Sequence, residues 1–423
     1  KPHMPRSANK EYRELAARSE TGWGNLIVTA VSQTLFCDGY RRSDAPDDAR
    51  PWRFWHANGM AARQNAIFEG ALGHGLSYAT VLPGEDFTGQ EIPLIRGVSA
   101  REGIAMFDDP AQDDLPEYFM RCKPTNKRGD KGWALTLLDD EVVWKINCRG
   151  NGEQFGQAAI DAEHGLGFTP AIRFANKLDL EGRSPGEIEP HIPLLARLNQ
   201  NTFDRLVVQR FAAWVVRYIT GMSLEETVEV TGETREQVKM RLSAESLLTV
   251  SDPNARVGSL PASPLDGLIS SDEHDAKQLS AVTQTSATEI MGTPANLSAD
   301  AIAELRAGPS AKRDQRQTSF GESINLTLRV AALVDGDKES AQDVAASVLW
   351  RDTSIRSLSQ AADALGKLAT MLGVPPEMLW EKIPGWTQTD VERAKAITKD
   401  GGGVNAVIRQ ILTGGLPPVG NAA

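Results

Sequence analysis

The segment SDEHD at residues 271–275 combines three carboxylates with a histidine and is the most metal-like run in the chain. A helix brings residues three or four positions apart onto one face, so spacing decides whether such groups can share an ion. Here the carboxylates and His274 fall on adjacent faces of a predicted helix, without a second histidine four residues away. The pattern favours a solvated helix face over a metal site.

Three aspartate pairs, at residues 108–109, 113–114 and 139–140, could suit two-metal nuclease chemistry. All of them lie in turn-like contexts, where aspartate is expected because its carboxylate hydrogen-bonds to nearby backbone. Gly150, Gly152 and Gly156 are spaced one residue too far apart for a dinucleotide fingerprint, and the chain has neither a Walker A motif nor a G-x-S-x-G elbow. We therefore predict a protein that is not an enzyme and uses no cofactor.

The most basic segment contains Arg306, Lys312, Arg313, Arg316 and Arg329. One interpretation is contact with phosphate or with another subunit. The other is a set of exposed charges that pair with Glu304, Asp314 and Glu322 on the same predicted helix. Phe320 is the single aromatic residue within this segment, so a stacking platform for single-stranded nucleic acid, which needs several, is not indicated.

Composition describes an ordinary folded protein: 423 residues, 41% hydrophobic and 24% charged. No apolar run approaches the roughly 18–20 residues that span a bilayer, and the first ten residues lack the apolar stretch of a signal peptide. Three cysteines without metal-ligand spacing favour a reducing compartment. The net charge of −11 argues against a protein that grips nucleic acid, although it suits one that surrounds DNA without holding it.

The elements that position these residues begin with a helical pattern at residues 9–34 and an amphipathic helix at 55–72, which is followed by a strand at 77–82. Between residues 93 and 174, short strand-like runs alternate with Gly, Asp and Pro turns. The runs are PLIRGVS, GIAMFDD, EYFMRCK, WALTLLD, EVVWKINC and PAIRFAN. The first 180 residues therefore predict an α+β domain with a mostly antiparallel sheet.

A long helix with apolar residues on two faces is predicted from about Glu187 to Ala213, and residues 214–220 fit either its last turns or a strand. A second helix is predicted at 265–290, with Leu268, Ile269, Leu279 and Val282 on one side and Asp272, Asp275 and Lys277 exposed. The next helix starts near Ser298 and contains Gly308-Pro309, so it either bends there or is two helices. A helix, a strand at SVLWRDTS and three short helices at 357–372, 375–382 and 389–397 follow.

Three sequence blocks resemble the portal proteins of long-tailed, double-stranded-DNA bacteriophages, and their order and spacing carry the resemblance. The first is GEIEPHIPLLARLNQNTFDRL at residues 186–206. The second pairs VGSLPASPLDGLI with SAVTQTSATEIMGTPANLSADAI at 257–269 and 280–302. The third is QRQTSFGESINLTLRVAAL at 315–333. The resemblance spans residues 12–396 and implies an α+β portal fold with an α/β wing, long stem helices, a small α/β clip, a tunnel loop and a helical crown.

The implied domains follow the chain. They are a wing at residues 1–186, a stem helix at 187–221, a clip at 222–264, a second stem helix at 265–291, a tunnel loop at 292–298, a long wing helix and strand at 299–355, a crown at 356–398 and a flexible tail at 399–423. The tunnel loop would project into a DNA channel. Its residues are Gly292, Thr293, Pro294, Ala295, Asn296, Leu297 and Ser298. Asp272, Asp275 and Lys277 are candidates for stem residues that face the channel.

The resemblance also implies the partners and the location. It predicts a homo-oligomeric ring, usually of twelve subunits, at one vertex of the virion capsid, made in the host cytoplasm. Double-stranded DNA would pass through the ring, which would contact the terminase large subunit, a head-tail adaptor, and the major capsid and scaffold proteins, and no membrane. Two alternatives stay open: another virion structural protein without a DNA bore, and a soluble α/β enzyme with an unrecognised site.

Overall fold

The computed structural model describes residues 10–43, 50–127, 130–149, 154–212, 217–220, 256–259, 265–286, 289–290, 299–351 and 358–399, together with Pro2 and Gly292. These residues form a mixed helix and sheet structure, which agrees with the α+β class expected from the sequence. The chain divides into two compact units. One consists of Lys1–Gly22 and Ile192–Leu279, and the other of Trp23–His191 and Ser280–Ala423.

The helices of the described residues are numbered here in chain order. They are α1 (Lys10–Arg18), α2 (Trp23–Ser32), α3 (Arg50–Ala57), α4 (Met60–His74), α5 (Ile192–Ala212), α6 (Asp266–Thr283), α7 (Ala299–Val334), α8 (Lys338–Gln342), α9 (Leu358–Met371), α10 (Pro376–Leu379) and α11 (Gln388–Lys399). Short 3-10 turns at Glu189–His191 and Trp380–Lys382 precede α5 and follow α10. In the part of the chain that is described, no helix is long and apolar enough to cross a membrane.

The strands are numbered in the same way. They are β1 (Cys37–Arg41), β2 (Leu76–Glu85), β3 (Glu91–Ser99), β4 (Gly103–Met106), β5 (Tyr118–Lys127), β6 (Asp130–Leu138), β7 (Val142–Arg149), β8 (Gln154–Phe155), β9 (Ala159–Glu163), β10 (Ala171–Ala175), β11 (Arg217–Thr220), β12 (Arg256–Ser259) and β13 (Ser347–Trp350). Every described pairing is antiparallel. The sheets are β10-β2-β3, β1-β13, β11-β12 and β4-β5-β6-β7 with β8 and β9 both on β7.

The core of the larger unit lies between the β10-β2-β3 sheet and helices α4 and α7. Phe68 of α4 stacks on Phe320 of α7, with ring centroids 5.1 Å apart, and both side chains are fully buried together with Phe174 of β10. Buried residues of α7 recur every four positions, at Phe320, Ile324 and Leu328, as expected for one face of a helix. Helix α7 is thus the central element of this unit.

The N-terminal segments are helical as predicted, but each of the two predicted helices is a pair of shorter helices in the structure. The pattern at residues 9–34 forms two helices, α1 and α2, which belong to different units. The pattern at 55–72 also divides, because Gly59 between α3 and α4 has a φ of 61°, in the left-handed region where an α-helix cannot continue. All six strand-like runs between residues 93 and 174 form strands, as predicted.

The paired helices α5 and α6 are shorter than their sequence patterns suggest. Helix α5 ends at Ala212, and Arg217–Thr220 forms strand β11, which supports the strand alternative for this region. Helix α6 ends at Thr283 rather than at residue 290, since Gln284 has a φ of 52° and the Thr285 amide donates to the Ser280 carbonyl. A left-handed residue closes the helix there in the manner usual for glycine.

Two further predictions concern the C-terminal part. Helix α7 runs without interruption through Gly308 and Pro309, so the alternative of two separate helices is wrong and the missing proline N–H is tolerated. The helix–strand–three-helix order after Asp337 is also correct. Most of the expected clip at 222–264, the tunnel loop after Gly292 and the tail after Lys399 lie outside the described residues.

Candidate functional site

Two clusters of paired charges stand out, one in each unit. The buried ion cluster, in the larger unit, consists of Glu187, Lys312 and Arg316. The α5–α6 network, in the smaller unit, consists of Arg197, Asn201, Arg205, Asp272 and Asp275. Both place carboxylates on basic side chains, yet they differ in burial and in how completely their hydrogen bonds are made.

The buried ion cluster is a carboxylate held by two cations. Lys312 Nζ lies 2.6 Å from Glu187 Oε2, and Arg316 donates from Nη2 and Nε to Oε1 at 2.7 and 3.1 Å. Each of the three side chains is at most 8% exposed. Buried charges are costly unless they are paired and hydrogen-bonded, and both oxygens of this carboxylate are satisfied.

Two glycines bring the segment that carries Glu187 against the end of α4. Gly75 has a φ of 88°, and a Cβ there would lie 1.8 Å from the Ser184 carbonyl oxygen. A Cβ on Gly186 would lie 2.5 Å from the Gly73 carbonyl oxygen. This close approach lets the Glu187 amide donate to the Leu72 carbonyl at 2.7 Å. This backbone contact therefore fixes the position from which the Glu187 side chain extends.

The cations come from α7, where Lys312 and Arg316 are four residues apart and continue the stripe of Phe320, Ile324 and Leu328. Lys312 Nζ also donates to the Thr283 carbonyl at 2.9 Å, at the end of α6. The same ammonium group thus contacts Glu187 and Thr283. The first residue shortly precedes α5, and the second ends α6.

Charge pairing sets the protonation of Glu187. Burial alone would raise its pKa, but the Lys312 ammonium and the Arg316 guanidinium outweigh burial and hold the pKa of Glu187 below its ordinary value. The pKa of nearby His191 is lowered by burial and by Lys312, against the opposing effect of Glu187. The cluster is accordingly a fixed anion between two fixed cations, and a neutral imidazole next to it is favoured.

The α5–α6 network joins two neighbouring helices along their polar sides. Arg197 donates to both Asp275 oxygens at 2.7 and 2.9 Å, and Asn201 donates to Asp275 Oδ2 at 3.0 Å. Arg205 Nη1 lies 3.4 Å from Asp272 Oδ2. The Asp275 side chain is 6% exposed, whereas Arg197 is 52% exposed. One side of this network therefore meets solvent.

The Arg205–Asp272 pair is incompletely bonded. Arg205 Nε and Asp272 Oδ1 are buried atoms without a hydrogen-bond partner among the described residues. Burial raises the pKa of Asp272, and so does the negative charge of Asp275, while Arg205 acts in the opposite direction. The net pKa of Asp272 is therefore above its ordinary value, opposite in sign to that of Glu187.

The structure corrects one expectation for the channel-facing residues. Asp275 is buried against α5 rather than exposed, and Asp272 also faces α5, because α6 packs with its acidic face inward. Ile269 and Val282, expected on the packed side, are 40% and 53% exposed, while Leu279 is fully buried as predicted. Lys277 is exposed. Of the tunnel-loop residues, only Gly292 is described, with a φ of 64°; Thr293 to Ser298 lie outside the described part.

The residues of the basic segment fall into two groups, one at the surface and one buried. Arg313 pairs with neighbouring Asp314 at 2.8 Å, as the surface interpretation expects, but Lys312 and Arg316 are buried. Their partner Glu187 was not among the residues singled out from the sequence. The four-residue spacing of Lys312 and Arg316 with Phe320, Ile324 and Leu328 was the available signal that these two charges face a core. The side chains of Glu304 and Arg306 lie outside the description.

The remaining chemical motifs have structural roles. Asp139 accepts hydrogen bonds from the amides of Glu141 and Val142, and Asp109 accepts one from Ala111, which confirms the turn interpretation for these acids. His274 contacts Gln278 on the same helix. Within the described ranges, no group of three or more His, Cys, Asp or Glu residues could hold a metal ion.

An open groove of about 380 Å³ runs along α7 and β10, beside Arg173 and Arg329. Neither arginine points a free guanidinium at it: Arg173 donates to the Pro110 and Asp113 carbonyls, and Arg329 Nε donates to the Ala341 carbonyl. Arg173 therefore holds the loop at residues 110–113, and Arg329 holds helix α8. The arrangement supports a structural role.

Comparison with known proteins finds a family model and solved structures that match most of the chain. A family model described as "Phage portal protein, SPP1 Gp6-like" matches residues 3–402. A solved structure of a HK97 family phage portal protein from Corynebacterium diphtheriae has 13% sequence identity with this chain. That match covers 84% of this chain and 100% of the other, with a TM-score of 0.33. No curated protein matches the chain.

Proposed function

This chain belongs to the SPP1 Gp6-like family of phage portal proteins, and from that premise we propose that it forms a closed ring whose axis is a channel for double-stranded DNA. Family membership makes it a structural protein of a bacteriophage virion with a role in DNA packaging. The match over residues 3–402 is the observation that carries the proposal.

Within the proposed ring, α5 and α6 are the stem helices. Strands β11 and β12 pair antiparallel and bring together the two ends of the segment between them, which includes most of the proposed clip at 222–264. Residues 292–298 form the tunnel loop, α7 is the long wing helix, and α9 to α11 form the crown at 356–398. The wing strands are those from β2 to β10, together with the β1-β13 pair.

Exposed apolar residues on both stem helices support ring formation. Ile192 of α5 and Ile269 and Val282 of α6 are 40–55% exposed in the single chain. Neighbours in a cyclic ring meet through two different faces, so apolar positions left open on both helices suit such packing. We propose twelve copies, as is usual in the family. Burial of these three residues would be a consequence of closure.

The channel and the partners follow from the family role. The chain's net charge of −11 disfavours tight phosphate binding, so DNA could slide through the bore. Exposed Lys277 is the stem residue that we retain as facing the channel, since Asp272 and Asp275 face α5. The clip would dock the terminase large subunit and later a head-tail adaptor. The major capsid and scaffold proteins would surround the wing at one vertex.

Electron microscopy of the purified protein with rotational classification tests the ring directly. We expect closed rings with an axial hole wide enough for duplex DNA. A compact oligomer without a bore would contradict the proposed channel and favour another virion structural protein. Turnover of a small substrate by isolated monomers would favour the enzyme alternative.

The tunnel loop has a separate test. Residues 293–298, Thr-Pro-Ala-Asn-Leu-Ser, carry no charge, so the loop could touch DNA without trapping its phosphates. Lengthening this loop, or introducing charge with Asn296→Lys, should impair DNA packaging while rings still assemble. Loss of rings in Pro294→Ala or Asn296→Ala would assign the loop to assembly instead.

A further inference from the structure

The C-terminal helical part of the chain has a small apolar core that is open on one side. Among the described residues, its buried centre consists of Trp380, Val391 and Ala394. Three more apolar side chains pack against this centre but stay half-buried: Ile383, Trp386 and Ile397. We call these three residues the open patch. Apolar surface that remains in contact with water is unfavourable, so the patch is suited to a further apolar partner.

The open patch extends along one face of α11. Ile397 follows the buried positions Val391 and Ala394 at three-residue spacing, so all three lie on the same face of this helix. Ile383 and Trp386 shortly precede α11 and pack against the same centre. The patch therefore reaches from the segment before α11 to its last turn, two residues before the helix ends at Lys399.

The sequence that follows α11 contains a second apolar stripe. Residues 404–412, VNAVIRQIL, lie outside the described part of the chain. They carry apolar residues at positions i, i+3, i+4, i+7 and i+8, namely Val404, Val407, Ile408, Ile411 and Leu412. This spacing is typical of the apolar face of an amphipathic helix. The sequence thus predicts one more short helix after α11.

The flanking residues fit a helix that turns back along α11. The connection at residues 400–403, Asp-Gly-Gly-Gly, has four residues, and antiparallel helix pairs are joined by loops of two to five. Two glycines at 414–415 and two prolines at 417–418 follow the stripe, as is usual beyond the end of a helix. A nine-residue helix is about 14 Å long, so it fits beside α11, which at twelve residues is about 18 Å long.

The composition of residues 404–412 favours a docked segment. Six of these nine residues are apolar, and Arg409 is the single charged residue between positions 401 and 423. Segments that stay disordered are instead poor in apolar residues and rich in charge. An isolated helix of this length is also marginal in water, so it needs an apolar surface to pack against. The open patch offers such a surface at the point where the chain leaves α11.

We propose that residues 404–412 form a helix that packs antiparallel on α11 of the same chain and covers the open patch. Val404 then lies beside Ile397, and Ile411 lies toward Ile383 and Trp386. Over these nine residues, a docked helix replaces the flexible tail expected from the sequence. The contact lies within one chain, so it goes beyond the proposed ring and does not depend on the channel.

Hydrogen exchange of the purified full chain, measured by mass spectrometry, tests the helix. Amides of residues 408–412 should exchange slowly, because each would donate to the carbonyl four positions earlier in a packed helix. Amides of the glycines at 401–403 should exchange fast. Fast exchange across the whole of 404–412 would overturn the proposal.

Two matched double variants test which face is docked. Val407→Glu with Ile411→Glu places charge on the apolar stripe, whereas Ala406→Glu with Gln410→Glu places the same charge on the opposite side of the predicted helix. The stripe variant should speed exchange of the α11 amides about tenfold or more, because it uncovers the open patch. The control should leave these rates near those of the wild type. Equal α11 rates in the two variants would contradict the docking.

Crosslinking tests the occupant and its direction. In a Cys122→Ser background, where the remaining Cys37 and Cys148 are buried, Ile383→Cys with Ile411→Cys should form an intrachain disulfide. The product keeps the mobility of a single chain on a denaturing gel. Ile383→Cys with Gln410→Cys is the control and should crosslink much more slowly, since position 410 faces away from the patch.

Two crosslinking results would overturn the proposal. Equal yields from both cysteine pairs would mean that the stripe does not face the patch. Disulfides between chains, seen as multimers on the gel, would assign the open patch to residues 404–412 of a second copy. All of these measurements can be read whether or not microscopy finds rings with a bore, so they stand apart from the test of the proposed function.

Discussion

The buried ion cluster and the α5–α6 network use the same chemistry under different solvation. Glu187 is enclosed with Lys312 and Arg316, and both of its oxygens are hydrogen-bonded. Asp275 is also enclosed, but its partner Arg197 is half exposed, and the adjacent Arg205–Asp272 pair leaves a buried atom on each residue without a partner. We therefore expect the contribution of each charged pair to stability to depend on its burial and hydrogen bonding more than on its distance.

The two clusters also differ in the chain segments that they join. Lys312 contacts Glu187, shortly before α5, and Thr283, at the end of α6. These are the places where the chain leaves the larger unit and returns to it. Through Lys312, the buried ion cluster thus attaches both of these chain segments to α7. The α5–α6 network joins the two helices within the smaller unit, between these two positions in the chain.

The largest effect should come from removing the buried carboxylate. Glu187→Gln leaves two buried cations without a counter-charge, and breaking a buried pair in this way costs about 3–5 kcal/mol. We expect the free energy of unfolding from urea titration to fall by that amount. Asp363→Asn is the control: it breaks the exposed Lys367–Asp363 pair of α9 at the same 2.6 Å spacing and should cost about 0.5 kcal/mol or less.

Similar losses in these two variants would contradict the comparison, since burial would then not separate them. A further variant, Lys312→Met with Arg316→Met and Glu187→Leu, removes all three charges together. Because no unpaired charge is left behind, it should be less destabilised than Glu187→Gln alone. This result would attribute the loss in Glu187→Gln to the two stranded cations.

An intermediate effect is expected in the α5–α6 network. Asp275→Asn removes the charge that accepts both Arg197 hydrogen bonds, but half-exposed Arg197 can turn to water. We expect a loss of about 1–2 kcal/mol, below that of Glu187→Gln. Hydrogen exchange should localise the loss to α5 and α6, with amides of α7 unchanged. Equal loss of protection in α7 would show that the two clusters act as one network.

Acid should affect the two clusters in opposite directions. The pKa of Glu187 is lowered in the folded protein, so its contribution is present above its ordinary pKa, about 4.3, and is lost as the pH falls through the folded pKa. The pKa of Asp272 is raised, so folding gains stability as the pH falls through that raised value toward about 3.9.

Urea midpoints measured from pH 6 down to pH 3.5 separate these effects. The stability deficit of Glu187→Gln relative to wild type should shrink as the pH falls. The stability of Asp272→Asn minus that of wild type should also decrease on acidification, because only the wild type gains stability by protonating Asp272. In the wild type, protonation of Glu187 therefore lowers the free energy of unfolding, and protonation of Asp272 raises it. A rise in the Asp272→Asn difference on acidification would contradict the raised pKa.

Sequence patterns predict local elements well here because those elements depend on near neighbours. The alternation of residues in PLIRGVS and EVVWKINC was sufficient to predict strands, and the three C-terminal helices were found within a few residues. Glu187 was missed since its importance depends on Gly75 and on Lys312, both distant in sequence. The sequence pattern predicts the wrong side of α6 for Asp275 because apolar residues usually define the packed face of a helix, whereas α6 packs through ion pairs.

The smallest effect should come from Lys277, which lies on α6 two residues after Asp275 and is exposed. Exposed charges without a buried partner usually contribute within about 0.5 kcal/mol, so Lys277→Ala should leave the free energy of unfolding within that range. The same variant distinguishes stability from function. If Lys277 faces the proposed channel, Lys277→Glu should change DNA packaging while thermal unfolding and ring formation stay as in wild type. A loss of stability comparable to that of Asp275→Asn would place Lys277 in the packed face of α6 and remove it from the channel.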